Sequence, residues 1–206
     1  MPTTPGTYTF IASANDANRM SAAQAFSHLI ASYYFGCPPN DTLSTNYALS
    51  SGRLYAFGPY SGLANNGNLQ HLAAYLLSAT SGIGPNQIQM ALYADNGGVP
   101  DGGALLSTSA VTNLYPANFS NMGWAGFVAQ VNAAVTTAGI YWIVLCANSA
   151  NGTIGVGTSS VNPGGLGPKF QPRYAAGTFG TMPPVFPTSS ALGGGTAYWG
   201  IYASYS

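Results

Sequence analysis

The sequence predicts an all-β chain folded as an antiparallel β-sandwich, and three observations carry that expectation. In QIQMALYADNGGVPDGGALLST, residues 87–108, Ile88, Met90, Leu92 and Ala94 alternate with Gln87, Gln89, Ala91, Tyr93 and Asp95. That is the period of a half-buried strand. Asn96-Gly97 and Pro100-Asp101-Gly102 follow at once, residues that accept or pre-set the dihedral angles of a turn, so the segment cannot continue as a helix. Further apolar segments of strand length recur after residue 42 with turn residues between them, the spacing of a sandwich.

Taken in order, the elements begin with a segment unlike the rest. Residues 16–34 are Ala-rich, and Met20, Ala23, Phe26, Ile30 and Tyr33 recur at three or four residues, with Asn15 or Asp16 placed to cap a helix and Gly36, Pro38 and Pro39 to end it. A helix is expected here. The competing reading is the first strands of the sandwich, since Ser27 and Ser32 are weak helix formers and Tyr33, Tyr34 and Phe35 suit a sheet. Residues 1–42 are accordingly set apart as an N-terminal extension and candidate anchor, and residues 43–206 as one sandwich domain. Within it strands are expected at 53–57, 69–78, 87–94, 104–112, 126–135, 140–147, 153–157 and 196–203. The strand IYWIVLCA at 140–147 is apolar on both faces, as for a central strand covered from both sides or lying against a neighbouring subunit. The Gly- and Pro-rich section 162–195 reads as an excursion, either wrapped over the sandwich or reaching a partner.

Charge is nearly absent. Arg19, Arg53, Lys169 and Arg173 are the only basic residues, Asp16, Asp41, Asp95 and Asp101 the only acidic ones, and there is no glutamate in 206 residues. A basic footprint for phosphates is missing, which argues against nucleic acid as a partner. So uncharged a surface favours burial in an assembly of copies. The opening MPTTPGTYTF lacks a basic n-region and an unbroken apolar stretch, so no secretory signal is expected. No apolar run approaches the roughly 18 residues that span a bilayer as a helix, and membrane insertion is not expected. Cys37 and Cys146 read as two buried thiols or as a disulfide, a choice that spacing leaves open.

Several segments together resemble a known group of domains. GRLYAFGPY at 52–60, the strand at 69–77, ALYADNGGVPDGGALLSTS at 91–109, TTAGIYWIVLCA at 136–147 and the closing AYWGIYASY resemble, in that order, the jelly-roll-like domains of bacteriophage tail fibres and other virion surface proteins. The resemblance covers roughly residues 43–206. Asp101-Gly102 lengthens the usual Pro-Gly step, and the stretch holding Tyr115, Phe119 and Trp124 is unusually aromatic. The resemblance implies a jelly-roll-like sandwich, a place on the virion as a tail fibre or spike or as a capsid decoration or head fibre, and a homotrimer. It also implies other virion proteins as partners and contact with the host surface, where a glycan would be met.

Chemistry at a site is scarce. Without glutamate, a carboxylate pair would have to come from the four Asp residues. Asp95 and Asp101 share one loop, where turn chemistry is the expected role and a calcium site with Asn96 the lesser one. His28 and His71 stand alone, and neither a nucleophile elbow nor a phosphate loop occurs. No enzyme, cofactor or metal is expected. Fourteen Tyr and three Trp are the remaining resource. Tyr60, Tyr115, Trp124 and Tyr174, in or near turn-rich segments, are the candidate glycan contacts; Trp142 and Trp199 lie in expected strands and suit core or interface packing. The expected function is thus non-enzymatic: a virion surface protein, with a free-standing carbohydrate-binding module or adhesin, or a self-assembling filament or coat subunit, as the alternatives.

Overall fold

The computed structural model describes residues 6–15, 21–30, 33–37, 43, 45–61, 63–79, 86–114, 119–148, 154–159, 170–193 and 196–206. Among these residues there are seventeen strands and no α-helix. In chain order they are β1 (Gly6–Asn15), β2 (Ser21–Ile30), β3 (Tyr33–Gly36), β4 (Thr45–Leu49), β5 (Arg53–Tyr60), β6 (Gly67–Ala79), β7 (Gln87–Ala94), β8 (Leu105–Thr108) and β9 (Thr112–Asn113). They continue with β10 (Phe119–Val128), β11 (Ala134–Val135), β12 (Tyr141–Asn148), β13 (Ile154–Ser159), β14 (Arg173–Ala176), β15 (Ser190–Ala191), β16 (Tyr198–Trp199) and β17 (Ile201–Tyr205).

Two antiparallel sheets form the sandwich. The larger has eight strands, built on the long β6, which pairs with β10 and β11 along one edge and with β17 and β13 along the other; β3 extends β17, and β4 extends β13. The smaller has seven, in the order β15-β14-β5-β12-β7-β8 with β9 also on β7. From β4 to β7, and again from β12 to β14, successive strands change sheet, the winding expected of a jelly roll. Inner-facing residues of both sheets make one core: Phe57, Met90, Leu92, Ile143 and Leu145 from the smaller meet Leu72, Leu76, Val156, Ile201 and Ala203 from the larger, all fully buried. Residues 129–133 lace one open side shut, with Ser109 bridged to Ala129 and the Ser107 hydroxyl donating to the Val131 carbonyl at 2.6 Å. On the opposite side Phe170 bridges to Ala197.

The β12 strand settles a question its sequence left open. Tyr141, Ile143, Leu145 and Ala147 face the core, whereas Trp142, Val144 and Cys146 face away and are equally buried. What covers them is the chain's own excursion. Phe179, Met182 and Phe186 lie on this outer face with Leu54, Ala91, Tyr93 and Trp142, so in the described part of 162–195 residues 177–189, between β14 and β15, are a roof over the smaller sheet. The roof is pinned along the turn after β7: Leu105 N–H donates to Pro184 at 2.9 Å, Phe186 N–H to Gly103 at 2.9 Å, and the Tyr93 hydroxyl to the Pro183 carbonyl at 2.7 Å. The β7 face expected to be half-exposed is buried for the same reason, with Gln89, Ala91 and Tyr93 all under the roof side.

The N-terminal segment departs from the expected helix. Residues 21–30 form β2, paired in register with β1 from Gly6↔Ile30 to Asn15↔Ser21. The physical reason is the preceding TYTFIASAN, which offers a strand partner of equal length, so the backbone bonds that a helix would make within itself are made across a hairpin instead. The expected cap at Asp16 and the residues up to Met20 lie outside the described residues. The sheet also begins before residue 43. β3 pairs with β17, and Phe35 packs among Tyr60, Tyr141 and Tyr205 at ring separations of 5.6, 5.8 and 5.9 Å, so part of the presumed extension is core. Within the two sheets of the sandwich, β3, β4, β14 and β15 are not among the expected strands, and all are of two to five residues.

Candidate functional site

The loop after β7 is held by its own carboxylates. Asp95 accepts from the Trp142 indole at 2.7 Å through one oxygen and from the Gly98 amide at 2.7 Å through the other, and Gly97 and Gly98 adopt φ of 73° and 88° to close the turn. Asp101 accepts from the Ser189 amide at 2.9 Å and from the Ser189 hydroxyl. Arg173 joins them: its Nε lies 3.8 Å from the Asp101 carboxylate and donates to the Ser189 hydroxyl at 2.8 Å, and its terminal nitrogen donates to the Ser189 carbonyl at 2.9 Å. Both carboxylates therefore serve as clamps, Asp95 between turn and sheet and Asp101 between turn and roof. Among the described residues no group of three or more His, Cys, Asp or Glu gathers as metal ligands would. Beside this loop, Asp95, Leu106, Ile140 and Tyr141 line a shallow open groove of about 390 Å³.

The four expected glycan contacts scatter. Tyr60 is a core residue, 3% exposed, edge-on to Phe170 at 5.3 Å. Its hydroxyl has no hydrogen-bond partner among the described residues, and burial, with Cys37 nearby, pushes its pKa well up. In sequence Tyr60 stands between Gly58-Pro59 and Ser61-Gly62, which gives it a turn-like setting, but it is the last residue of β5 and its ring points inward. Tyr115 lies outside the described residues. Trp124 is on β10, where the register sets it opposite Tyr75 of β6. Tyr174, on β14, is half-buried and carries the Arg53 guanidinium 4.6 Å above its ring. Trp142 and Trp199 are buried as expected. Cys37 and Cys146 are both buried and are not joined in a disulfide, and burial pushes the Cys146 thiol up to about 11.

Sequence reasoning did not single out the outer face of the larger sheet, which the structure assembles from four non-adjacent strands. The register runs in rows across it: Val128, His71, Ser204 and Tyr34; then Gly126, Ala73, Tyr202 and Gly36; then Trp124 beside Tyr75. Tyr34 is 44% exposed, His71 is exposed, and Tyr75 and Tyr202 are half-buried. Burial raises the Tyr202 pKa. Leu43 fills the end of this face: a Cβ at Gly157 or Gly200 would run into Tyr75 and Leu43, so glycine is needed there for close approach. Between these side chains Ala73, Ser204 and Gly36 are buried. The alternation of YYFG and IYASY was the available signal, but which face each tyrosine takes depends on a pairing between residues 36 and 202 that no local pattern announces.

No family model matches the chain, and neither a curated protein nor a solved structure matches it.

Proposed function

We propose that the chain is a non-enzymatic structural protein of a bacteriophage particle surface, displayed as a tail fibre or spike or as a capsid decoration or head fibre. It works by contact, with other copies, with other virion proteins and with the host surface. The observation that carries this reading is the unequal treatment of the two outer faces. One is roofed by residues 177–189, while on the other, among the described residues, no charged side chain lies in the rows where Tyr34 and His71 are exposed and Tyr75 and Tyr202 half-buried. Tyrosine on a surface free of charge combines apolar area with a polar handle, the composition favoured at the centres of protein interfaces. The open face is where copies meet, and a closed homotrimer is the assembly the reading implies. The filament alternative draws less support from one of its two arms, because the described part of the excursion, residues 170–193, lies on its own sandwich.

Electron microscopy of particles labelled with an antibody against the purified protein tests this. Label on the surface of intact particles is the expected result; label confined to cell debris, with particles bare, would refute it.

A further inference from the structure

We propose that the mouth of the sandwich beside residues 50–52 binds an acidic saccharide, with Arg53 taking the sugar carboxylate and Tyr47 and Tyr174 contacting the ring. This goes beyond the display reading and stands or falls without it. The turn at 50–52 carries the chain from β4 in the larger sheet to β5 in the smaller, so side chains from both sheets converge at this end. Tyr174 pairs with Tyr55 across β14 and β5, and Arg53 precedes Tyr55 by two residues on the same face. From the other sheet comes Tyr47, half-buried and edge-on to Trp199 at 5.0 Å. The Tyr47 phenol is close enough to feel Tyr55, Arg53 and Tyr174 electrostatically, although burial is the main cause of its raised pKa.

Two features point to a ligand. Arg53 is exposed and has no carboxylate partner among the described residues, in contrast to Arg173, which is bound to Asp101 and Ser189. Its guanidinium carbon lies 4.6 Å above the Tyr174 ring, which places the cation at this mouth, and a guanidinium offers the fork that matches a carboxylate with two parallel hydrogen bonds. The second feature is the Trp199 indole N–H, which is buried at 4% exposure without an acceptor among the described residues and belongs to a ring in contact with Tyr47. Half-buried tyrosines add apolar ring surface for a sugar's C–H face and hydroxyls for its oxygens. A net charge of zero gives no field that gathers polyanions, so recognition rests on one carboxylate in one place.

The test is a titration of the full chain, followed by NMR, with the methyl glycoside of N-acetylneuraminic acid and with digalacturonate, each beside its methyl ester. At least one acid should saturate in the millimolar range, and its ester should bind about tenfold more weakly, a loss of roughly 1.4 kcal/mol. R53Q should match that loss with an unchanged melting curve, and R53K should retain part of the affinity because it keeps the charge without the fork. Acid and ester binding alike, R53Q binding as tightly as the parent, or no saturation by either acid would each overturn the proposal.

Discussion

The outer faces of the two sheets are opposites: one is covered by the chain itself, and the other presents Tyr34 and His71. On the smaller sheet Leu54, Ala91, Tyr93, Trp142, Val144 and Cys146 make an apolar surface that reads as an interface, yet Phe179, Met182 and Phe186 of the same chain cover it. On the larger sheet Ala73, Gly126, Gly155, Gly157 and Ser204 are small, with Tyr34, Tyr75, Tyr202 and His71 among them. A doubly apolar strand thus records how much apolar surface must be covered, not what covers it. The face proposed for partners is the more polar one, as expected of contacts that form after folding.

The contrast can be broken most severely at the strand that borders the open face. Removing residues 1–30 should leave a cooperatively folding product, because β1 and β2 pair with each other and not with either sheet of the sandwich. Removing residues 1–37 also takes Phe35 and the β3–β17 pairing, and should abolish the sharp thermal transition. Two products melting alike would place β3 outside the core.

Next comes the roof. Phe186 is 1% exposed and edge-on to Tyr93 at 5.3 Å, so Phe186→Ala should cost about 3–5 kcal/mol in chemical denaturation. A cost below about 1 kcal/mol would mean that the roof lifts freely. Asp101→Ala removes the clamp that ties the turn to Ser189 and Arg173, and should cost about 1–3 kcal/mol by the same measurement. On the open face, His71→Ser should change stability by no more than about 0.5 kcal/mol, since the side chain is exposed.

An alkaline titration sharpens the comparison from another side. Tyr93 and Cys146, both on the roofed face, have pKa values raised by burial, as does Tyr60 in the core. In the unfolded chain these groups ionise near pH 8.5 for the thiol and about 10 for the phenols. The unfolded state then holds fewer protons than the folded one, so stability is full below about pH 8.5 and falls as pH rises through and beyond the value of about 11 reached by Cys146. Melting temperatures measured from pH 7 to 11 should decline only in the upper part of that range. Cys146→Ser should soften the onset, and an unchanged onset would remove the thiol from the cause.

How much of this was legible follows from which interactions are local. β7 and β12 were placed within a residue of their bounds because their alternation and flanking turns are written in the strand itself. The inward direction of Ile88, Met90 and Leu92 followed from the same pattern. β3, β4, β14 and β15 were missed because strands of two to five residues are defined by their partners more than by their own pattern. The roof was legible as an excursion but not as a cover, since its direction depends on Asp101 reaching Ser189, 88 positions away. Tyr174 was singled out for its ring and its turn-rich setting, but its partner Arg53 was not, because the two meet only through the β5–β14 pairing. Tyr60 failed for the converse reason: its neighbours in sequence are turn residues, and its neighbours in space are Phe35 and Phe170.

The open face as the meeting place of copies is tested most directly by sedimentation equilibrium on the native chain and on His71→Glu, over a wide dilution series. His71 lies in the row between Val128 and Ser204, where a buried charge would meet no cation of the described face. The expected result is a trimer for the native chain and a monomer for the variant, with superimposable melting curves at the lowest concentration. A native chain that is monomeric throughout, or a variant that remains trimeric, would contradict it.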